Sequence, residues 1–200
     1  MALGKTEICN MALRYIGVRP VNNVESDTSA AAVELKAFWD LAVESTLRLN
    51  DWNFATKIIA LAEIADEKCL GWDYAYMYPA DCIMAWSVET ESSVRDASVT
   101  YEWEKLLSPE TSTPVIATNQ ESAYLRYTSR VTDPSTWDTS FINALTWKLA
   151  SLVCSRLTSD AGIFQKCSAM YAQAAQEAQT MNRAENNNPT TPEGPYVEVR

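Results

Sequence analysis

The stretch DPSTWDTSFINALTWKLASLVCSRL, residues 133–157, carries a helical pattern of apolar residues behind a start signal. Proline is tolerated in the first turn of a helix and aspartate can cap its free amides, so Asp133 and Pro134 predict where the helix begins. The apolar side chains recur at helical spacing along one buried stripe: Trp137, Phe141, Leu145, Leu149, Leu152 and Leu157. This stripe predicts a long helix that other elements must cover.

Another helix is predicted directly after it. A polar break at residues 158–160 ends the first pattern, and residues 161–184 resume the helical period. We expect the inward side chains of this helix to be Phe164, Cys167, Met170 or Tyr171, Ala174 and Ala178. Residues 186–195, NNNPTTPEGP, contain three prolines and a glycine and cannot hold regular structure alone. Together with the β-prone residues 196–200, YVEVR, they predict an extended arm that binds something at its tip.

Two further helices are predicted at the beginning of the sequence. The first runs from about Leu3 to Ile16 with one apolar stripe and stops at Gly17. The second begins near residues 27–29, whose side-chain oxygens can cap free amides, and runs to Leu49.

The region between the second and third helices has a different pattern. It lacks a sustained helical period and consists of short β-prone runs between polar or proline-containing breaks. The runs predict five strands in one small sheet or sandwich: 54–62, 83–89, 100–106, 115–118 and 123–128. Residues 71–81 form an aromatic cluster between the first two strands, ending near Pro79, which cannot lie in a central strand.

The predicted fold class is therefore α+β. A four-helix bundle is formed by two N-terminal helices in residues 1–51 and two C-terminal helices in residues 132–185. A β-rich domain, residues 52–131, is inserted between helices 2 and 3, and residues 186–200 form the extended C-terminal arm.

Composition restricts the possible functions. The 200 residues include 16 basic and 26 acidic side chains, and the net charge of −10 argues against wrapping nucleic acid. There is no histidine, so Ser-His-Asp and Cys-His catalysis and histidine-based zinc sites are absent. The five glycines form no phosphate-binding loop, and the five cysteines show no metal-ligand spacing and are expected to be reduced core thiols. We predict a protein without catalytic activity, cofactor, metal or membrane span, made in the cytoplasm.

Carboxylate pairs are the enzymatic alternative, because glycoside hydrolysis needs two of them. Asp73 and Asp81 flank the aromatic cluster, while Glu102 and Glu104 share one face of a predicted strand. With 26 acidic residues such pairs arise by chance, so solvated surface positions are the favoured interpretation.

The aromatic cluster has two interpretations. A sheet core is favoured, because large apolar rings usually fill one. The alternative is a protein interface, in which Trp and Tyr are enriched as anchors, and its candidate residues are Trp72, Tyr74, Tyr76 and Tyr78.

Four segments, in order along the chain, support a resemblance: residues 7–17 (EICNMALRYIG), 47–57 (LRLNDWNFATK), 71–82 (GWDYAYMYPADC) and 130–134 (RVTDP). With them the chain resembles the tail tubular protein A family, the head-to-tail adaptors of short-tailed phages. The resemblance implies a virion protein in which about twelve copies form a ring below the portal protein and join it to the tail nozzle protein, which is tail tubular protein B-like. DNA would pass through the lumen without specific binding, and no membrane would be involved.

The same resemblance implies two kinds of contact. The arm would gain area and strand-type hydrogen bonds on the portal, and its candidate residues are Pro192, Pro195, Tyr196, Val197, Val199 and Arg200. The β-rich domain would face the nozzle or adjacent subunits. Some related adaptors have cell-wall lytic activity, so a peptidoglycan hydrolase using Asp73, Asp81, Glu102 or Glu104 is the alternative function.

Overall fold

The computed structural model describes residues 3–65, 69–94, 99–158 and 160–185. The predicted arm, residues 186–200, lies outside these ranges. The described residues confirm the α+β class, with four α-helices, one 3₁₀ turn and six strands. The helices are α1 Lys5–Tyr15, α2 Ala30–Leu47, α3 Thr139–Leu157 and α4 Ala161–Glu185. The strands are β1 Thr56–Ala60, β2 Tyr74–Met77, β3 Cys82–Glu89, β4 Trp103–Leu107, β5 Pro114–Thr118 and β6 Tyr124–Ser129.

Local capping chemistry explains where the helices begin. The Ser29 hydroxyl accepts a hydrogen bond from the Ala32 backbone N–H, so α2 starts where the sequence predicts. The prediction that α3 starts at Asp133 is wrong, because a separate 3₁₀ turn precedes the helix. Asp133 caps only a 3₁₀ turn, Pro134–Thr136, and Trp137 is extended, so α3 begins after Asp138.

The four helices share one apolar core, in which α3 contacts α1, α2 and α4. Phe141 of α3 is fully buried, with its ring centroid 5.0–5.2 Å from those of Trp52, Phe54 and Trp137. Edge-to-face contacts of this kind add to the free energy gained by burying the rings. The prediction that Phe164 of α4 faces inward is wrong, because its side chain is 46% exposed.

The strands form two sheets, whereas the sequence left open one small sheet or a sandwich. Both are antiparallel and three-stranded, with orders β1-β6-β3 and β2-β5-β4. The sequence prediction missed β2, which lies inside the aromatic cluster and ends before Pro79. Residues 62–64 cover its outer edge, through hydrogen bonds from Ile64 N to Ala75 O and from Met77 N to Ala62 O.

Candidate functional site

The end of α4, from which the predicted arm departs, is held by a reciprocal set of hydrogen bonds. Asn182 is 3% exposed; its Oδ1 accepts from the Asn53 backbone N–H at 2.9 Å, and its Nδ2 donates to the Asp51 carbonyl at 3.0 Å. In return, Asn53 Nδ2 donates to the Asn182 carbonyl and to the Glu185 carboxylate, each at 3.2 Å. The last turn of α4 is therefore attached to the segment that joins α2 to β1.

This attachment lies directly before residue 186, where the predicted arm begins. Gln179 extends it by donating to the Leu49 carbonyl at 3.1 Å. The arm candidates themselves lie outside the described residues: Pro192, Pro195, Tyr196, Val197, Val199 and Arg200. Sequence reasoning missed Asn182, whose only signal is a short amide side chain near the end of an alanine- and glutamine-rich helix.

The interface candidates of the aromatic cluster are divided between two packing clusters. Tyr76 is 1% exposed, and its hydroxyl donates to the Gln120 carbonyl at 2.8 Å. Burial also raises the pKa of this phenol. The ring of Tyr74 stacks on that of Tyr76, with centroids 6.4 Å apart. Tyr76 is therefore a core residue of the chain, as the sheet-core interpretation predicts.

Trp72 and Tyr78 are half-buried and reach the surface in different surroundings. Trp72 packs with the cluster that contains Ala75 and Val115, and its indole N–H donates to Glu104 at 3.4 Å. Tyr78 packs with the cluster that contains Tyr76, and the Lys105 ammonium lies 3.9 Å from the centre of its ring.

Met77, beside Tyr78, is 60% exposed. The exposed edges of Trp72, Tyr74 and Tyr78, together with Met77, are the part of the cluster that can contact another molecule. Sequence reasoning did not select Met77. It is the last residue of β2 and lies on the same face as the buried Ala75, but at the end of the strand, where it is not covered.

The candidate carboxylates do not converge on one site. Asp81 lies at the start of β3, where it pairs with Lys57 at 2.6 Å and accepts from the Tyr127 hydroxyl at 2.9 Å. The hydrogen bond from Lys57 is the main reason that the pKa of Asp81 is lowered. An ionised, engaged carboxylate of this kind is not poised as a general acid.

The other three candidates belong to the second sheet. Asp73 and Glu102 each precede a residue that pairs with Thr118, so both lie at one end of that sheet. Two strand spacings separate their backbones by about 10 Å. Both carboxylates are exposed, and Glu104 accepts from Trp72. This placement leaves Asp73 and Glu102 as the one candidate pair on a shared edge.

A shallow, solvent-open depression of about 630 Å³ lies elsewhere, lined by Thr90, Glu91, Ser92, Glu121, Ser122 and Tyr124. None of the predicted site residues lines it. Within residues 3–65, 69–94, 99–158 and 160–185, no three histidine, cysteine or acidic side chains are grouped so that they could hold a metal ion. No helix in the same part of the chain is long and apolar enough to span a membrane.

Two comparisons with known proteins found no relative of this chain. No protein-family model matches the chain, and no curated protein matches it.

Proposed function

We propose that this chain is a structural subunit of a phage head-to-tail adaptor. In this proposal about twelve copies form a ring below the portal protein, join it to the tail nozzle protein and line the DNA channel of the virion. The observation that carries the proposal is the attachment of α4 to the α2–β1 segment, because it gives the arm a fixed point of departure.

A fixed base matters for an arm of this composition. Residues 186–200 are rich in proline and polar side chains, which bury little apolar surface by themselves, so we expect another surface to supply their contacts. Because Asn53 and Glu185 are hydrogen-bonded, the residue directly before the arm is tied to the body of the chain. Binding of Tyr196, Val197, Val199 and Arg200 to the portal would therefore orient the whole subunit in the ring.

One of the segments that resemble the adaptor family lies where the helices join the sheets. Residues 7–17 include most of α1, and residues 47–57 make the turn from α2 into β1. Trp52 in that turn is fully buried, and its indole N–H donates to the Thr46 carbonyl at 3.0 Å. This role in joining the helices to the sheets supports the proposal that the similarity reflects a shared fold.

The proposal assigns a task to each region. The four helices act as a bundle that carries the arm, and residues 52–131 act as an inserted β-rich domain that faces the nozzle or adjacent subunits. The exposed parts of Trp72, Tyr74, Met77 and Tyr78 are the proposed contact points there, since aromatic residues and methionine are enriched at interfaces. Tyr76 supports them from the core.

The charge of the chain supports a channel through which DNA moves. A net charge of −10 per copy, repeated around a ring, repels phosphates and provides few cations to release their counterions. DNA would pass without being bound.

The test is the mass of the protein by light scattering, alone and with purified portal rings encoded by the same genome. We expect portal rings to take up many copies of the full chain and none of a chain that stops at Glu185, which retains the α4 attachment. The matched control changes Thr190 and Thr191 of the arm to alanine and should bind normally. Equal uptake of the full and shortened chains would exclude the arm as the portal contact, and no uptake of either would exclude the adaptor proposal.

The alternative, an adaptor with peptidoglycan hydrolase activity, has its support in the shared edge of Asp73 and Glu102. It predicts that the purified protein clears a cell-wall substrate and that Asp73→Asn or Glu102→Gln abolishes the clearing. Glu110→Gln, a change at another exposed carboxylate, is the matched control. Absence of clearing by the unchanged protein would dispose of this alternative.

A further inference from the structure

The outer edge of β1 is an open strand edge. Hydrogen bonds from Ser129 N to Ala55 O and from Leu61 N to Ala123 O set which residues of β1 face β6. By alternation, Lys57 and Ile59 direct their backbone groups to β6, whereas Ile58 and Ala60 direct theirs away. Among the described residues, no backbone hydrogen bond reaches the outward groups of Ile58 and Ala60.

This edge is also apolar. Ile58 and Ile59 lie on opposite faces of the strand, and each is 37% exposed. Exposed apolar strand edges are sites where another strand adds. A charged side chain on an edge strand usually prevents another strand from pairing there. The only charged side chain in β1 is Lys57, and its ammonium forms an ion pair with Asp81 at 2.6 Å.

The other strand edges in the described residues are protected. Residues 62–64 cover the outer edge of β2. Register shifts interrupt β3 between Cys82 and Met84 and again between Ala85 and Ser87, and such irregularities discourage pairing. The remaining edge strand, β4, carries two charged side chains, Glu104 and Lys105, whereas β1 carries one.

The sequence contains a segment that matches the β1 edge. Residues 196–200, YVEVR, have the same length as β1 and alternate between two valines and three larger side chains. As a strand they would place Val197 and Val199 on one face, where they can continue the apolar surface next to Ile59. Tyr196 would lie on the opposite face, which is the face of Ile58.

The attachment of α4 brings this segment within reach of β1 in the same subunit. Glu185 is hydrogen-bonded to Asn53, which lies three residues before Thr56, the first residue of β1. The ten residues 186–195 can span about 33 Å, whereas the whole of β1 is about 17 Å long. A short tether also gives the segment an effective concentration in the millimolar range, which favours its own subunit over a second copy.

We propose that in the free subunit residues 196–200 pair with the outward edge of β1 of the same chain, making a fourth strand beside β1, β6 and β3. The pairing would satisfy the outward backbone groups of Ile58 and Ala60 and cover both isoleucines. This inference concerns the subunit alone and does not depend on the adaptor proposal, since no portal or nozzle protein takes part in it.

The first experiment is residue-resolved amide hydrogen exchange of the full chain and of the chain that stops at Glu185, with light scattering on the same samples. We expect the Ile58 and Ala60 amides to exchange at least about tenfold more slowly in the full chain. The amides of Lys57 and Ile59, which face β6, are internal controls and should change little. Equal exchange at Ile58 and Ala60 in the two chains would overturn the proposal.

The mass from light scattering shows whether the added strand comes from the same chain or from a second copy. Protection of Ile58 and Ala60 in a monomer supports pairing within one chain. Protection that appears only with a doubled or larger mass, and that weakens on dilution, would show that a second copy provides the strand and would overturn pairing within one chain.

A variant pair tests the sequence of the added strand. Val197→Pro combined with Glu198→Pro removes two neighbouring backbone N–H groups. Because neighbouring N–H groups of a strand point to opposite sides, one of the two would face β1 whichever side of the strand pairs, so the protection of Ile58 and Ala60 should be lost. Thr190→Pro combined with Thr191→Pro places the same two changes in the proline-containing linker and should leave protection unchanged. Neither variant touches the described fold, so loss of folding cannot mimic the effect. Unchanged protection in the first variant would overturn the proposal.

Discussion

Asn53 donates two hydrogen bonds to Asn182 across 129 positions of the sequence, from its backbone N to Asn182 Oδ1 at 2.9 Å and from its Nδ2 to the Asn182 carbonyl at 3.2 Å. Asn182 also donates to the Asp51 carbonyl, so a single buried amide satisfies two backbone groups of the α2–β1 segment. The end of α4 and the start of the sheet region are thereby joined by polar contacts rather than by apolar packing alone.

We expect Asn182→Ala to lower the free energy of unfolding by about 1–3 kcal/mol, because it leaves the Asn53 N–H and the Asp51 carbonyl without their partner. Urea denaturation measures this change. Gln173→Ala is the control on the same helix, since Gln173 is exposed and bonds only to Glu177. Similar stability of the two variants would contradict the structural role of Asn182.

Phe141 and Phe164 provide a direct comparison of one residue type at two positions. Phe141→Ala should cost about 3–5 kcal/mol, because Phe141 is fully buried among Trp52, Phe54 and Trp137. Phe164→Ala should change stability by about 0.5 kcal/mol or less, because nearly half of that side chain is exposed. Denaturation midpoints of the two variants check the prediction. A large loss on changing Phe164 would restore the inward assignment that the structure rejects.

Asp138 should destabilise the fold at neutral pH. Burial, followed by the charge of Glu185, raises the pKa of this carboxyl, which caps no backbone amide. A raised pKa means that the folded state favours the protonated acid, so stability should rise as the pH falls through the folded pKa. Asp138→Asn should therefore raise the melting temperature at pH 7, with a gain that disappears in acid. A lower melting temperature at pH 7 would contradict the assignment.

Asp81 should act in the opposite direction. Its pKa is lowered chiefly by the hydrogen bond from Lys57, so it stabilises the fold above the unfolded value of about 3.9. That contribution should be lost as the pH falls below this value through the folded pKa. Lys57→Met should make the acid limb of a stability-against-pH curve shallower. The effect should be modest and should weaken in salt, because both side chains are substantially exposed. An unchanged acid limb would count against the ion pair.

The thiols should be nearly inert in the native protein. Cys9, Cys69, Cys154 and Cys167 are buried, and Cys82 is half-buried with its thiol 3.1 Å from the Tyr78 hydroxyl. Burial raises the pKa of Cys9 to about 12 and also raises the pKa of Cys82, so few thiolates form at pH 8. A thiol reagent should modify Cys82 first and slowly, and all five cysteines only in denaturant. Rapid modification of Cys9 would contradict the packing of α1.

The helices are the part of the fold that short-range sequence patterns predict well. Ser29 caps α2 where expected, and the apolar stripe of α3 is buried along most of its length. These features depend on residues three or four positions apart, so they can be read without knowing the rest of the fold. Even here the local signal at Asp133 was ambiguous between an α-helix and a 3₁₀ turn, because both begin with the same capping bond.

The sequence predicts where the aromatic cluster lies but not which of its side chains are exposed. A run such as residues 71–81 shows that aromatic side chains are concentrated, but the partner strand β5 decides which of them are covered. Ala75 and Tyr76 lie on opposite faces of β2 and both are buried, whereas Met77 at the end of the strand is exposed. Which positions are covered therefore depends on the elements that pack on each face, and these are distant in sequence.

Local chemistry along the chain was therefore sufficient for the α+β class, the helix positions, the acidic charge and the exclusion of histidine-based catalysis. The tertiary structure alone decided the division into two sheets, the burial of Tyr76, the exposure of Phe164 and the bonding of Asn182 to Asn53. The physical reason is distance in sequence. Caps and helical stripes arise between near neighbours, whereas burial and strand pairing depend on residues that meet only after the chain has folded.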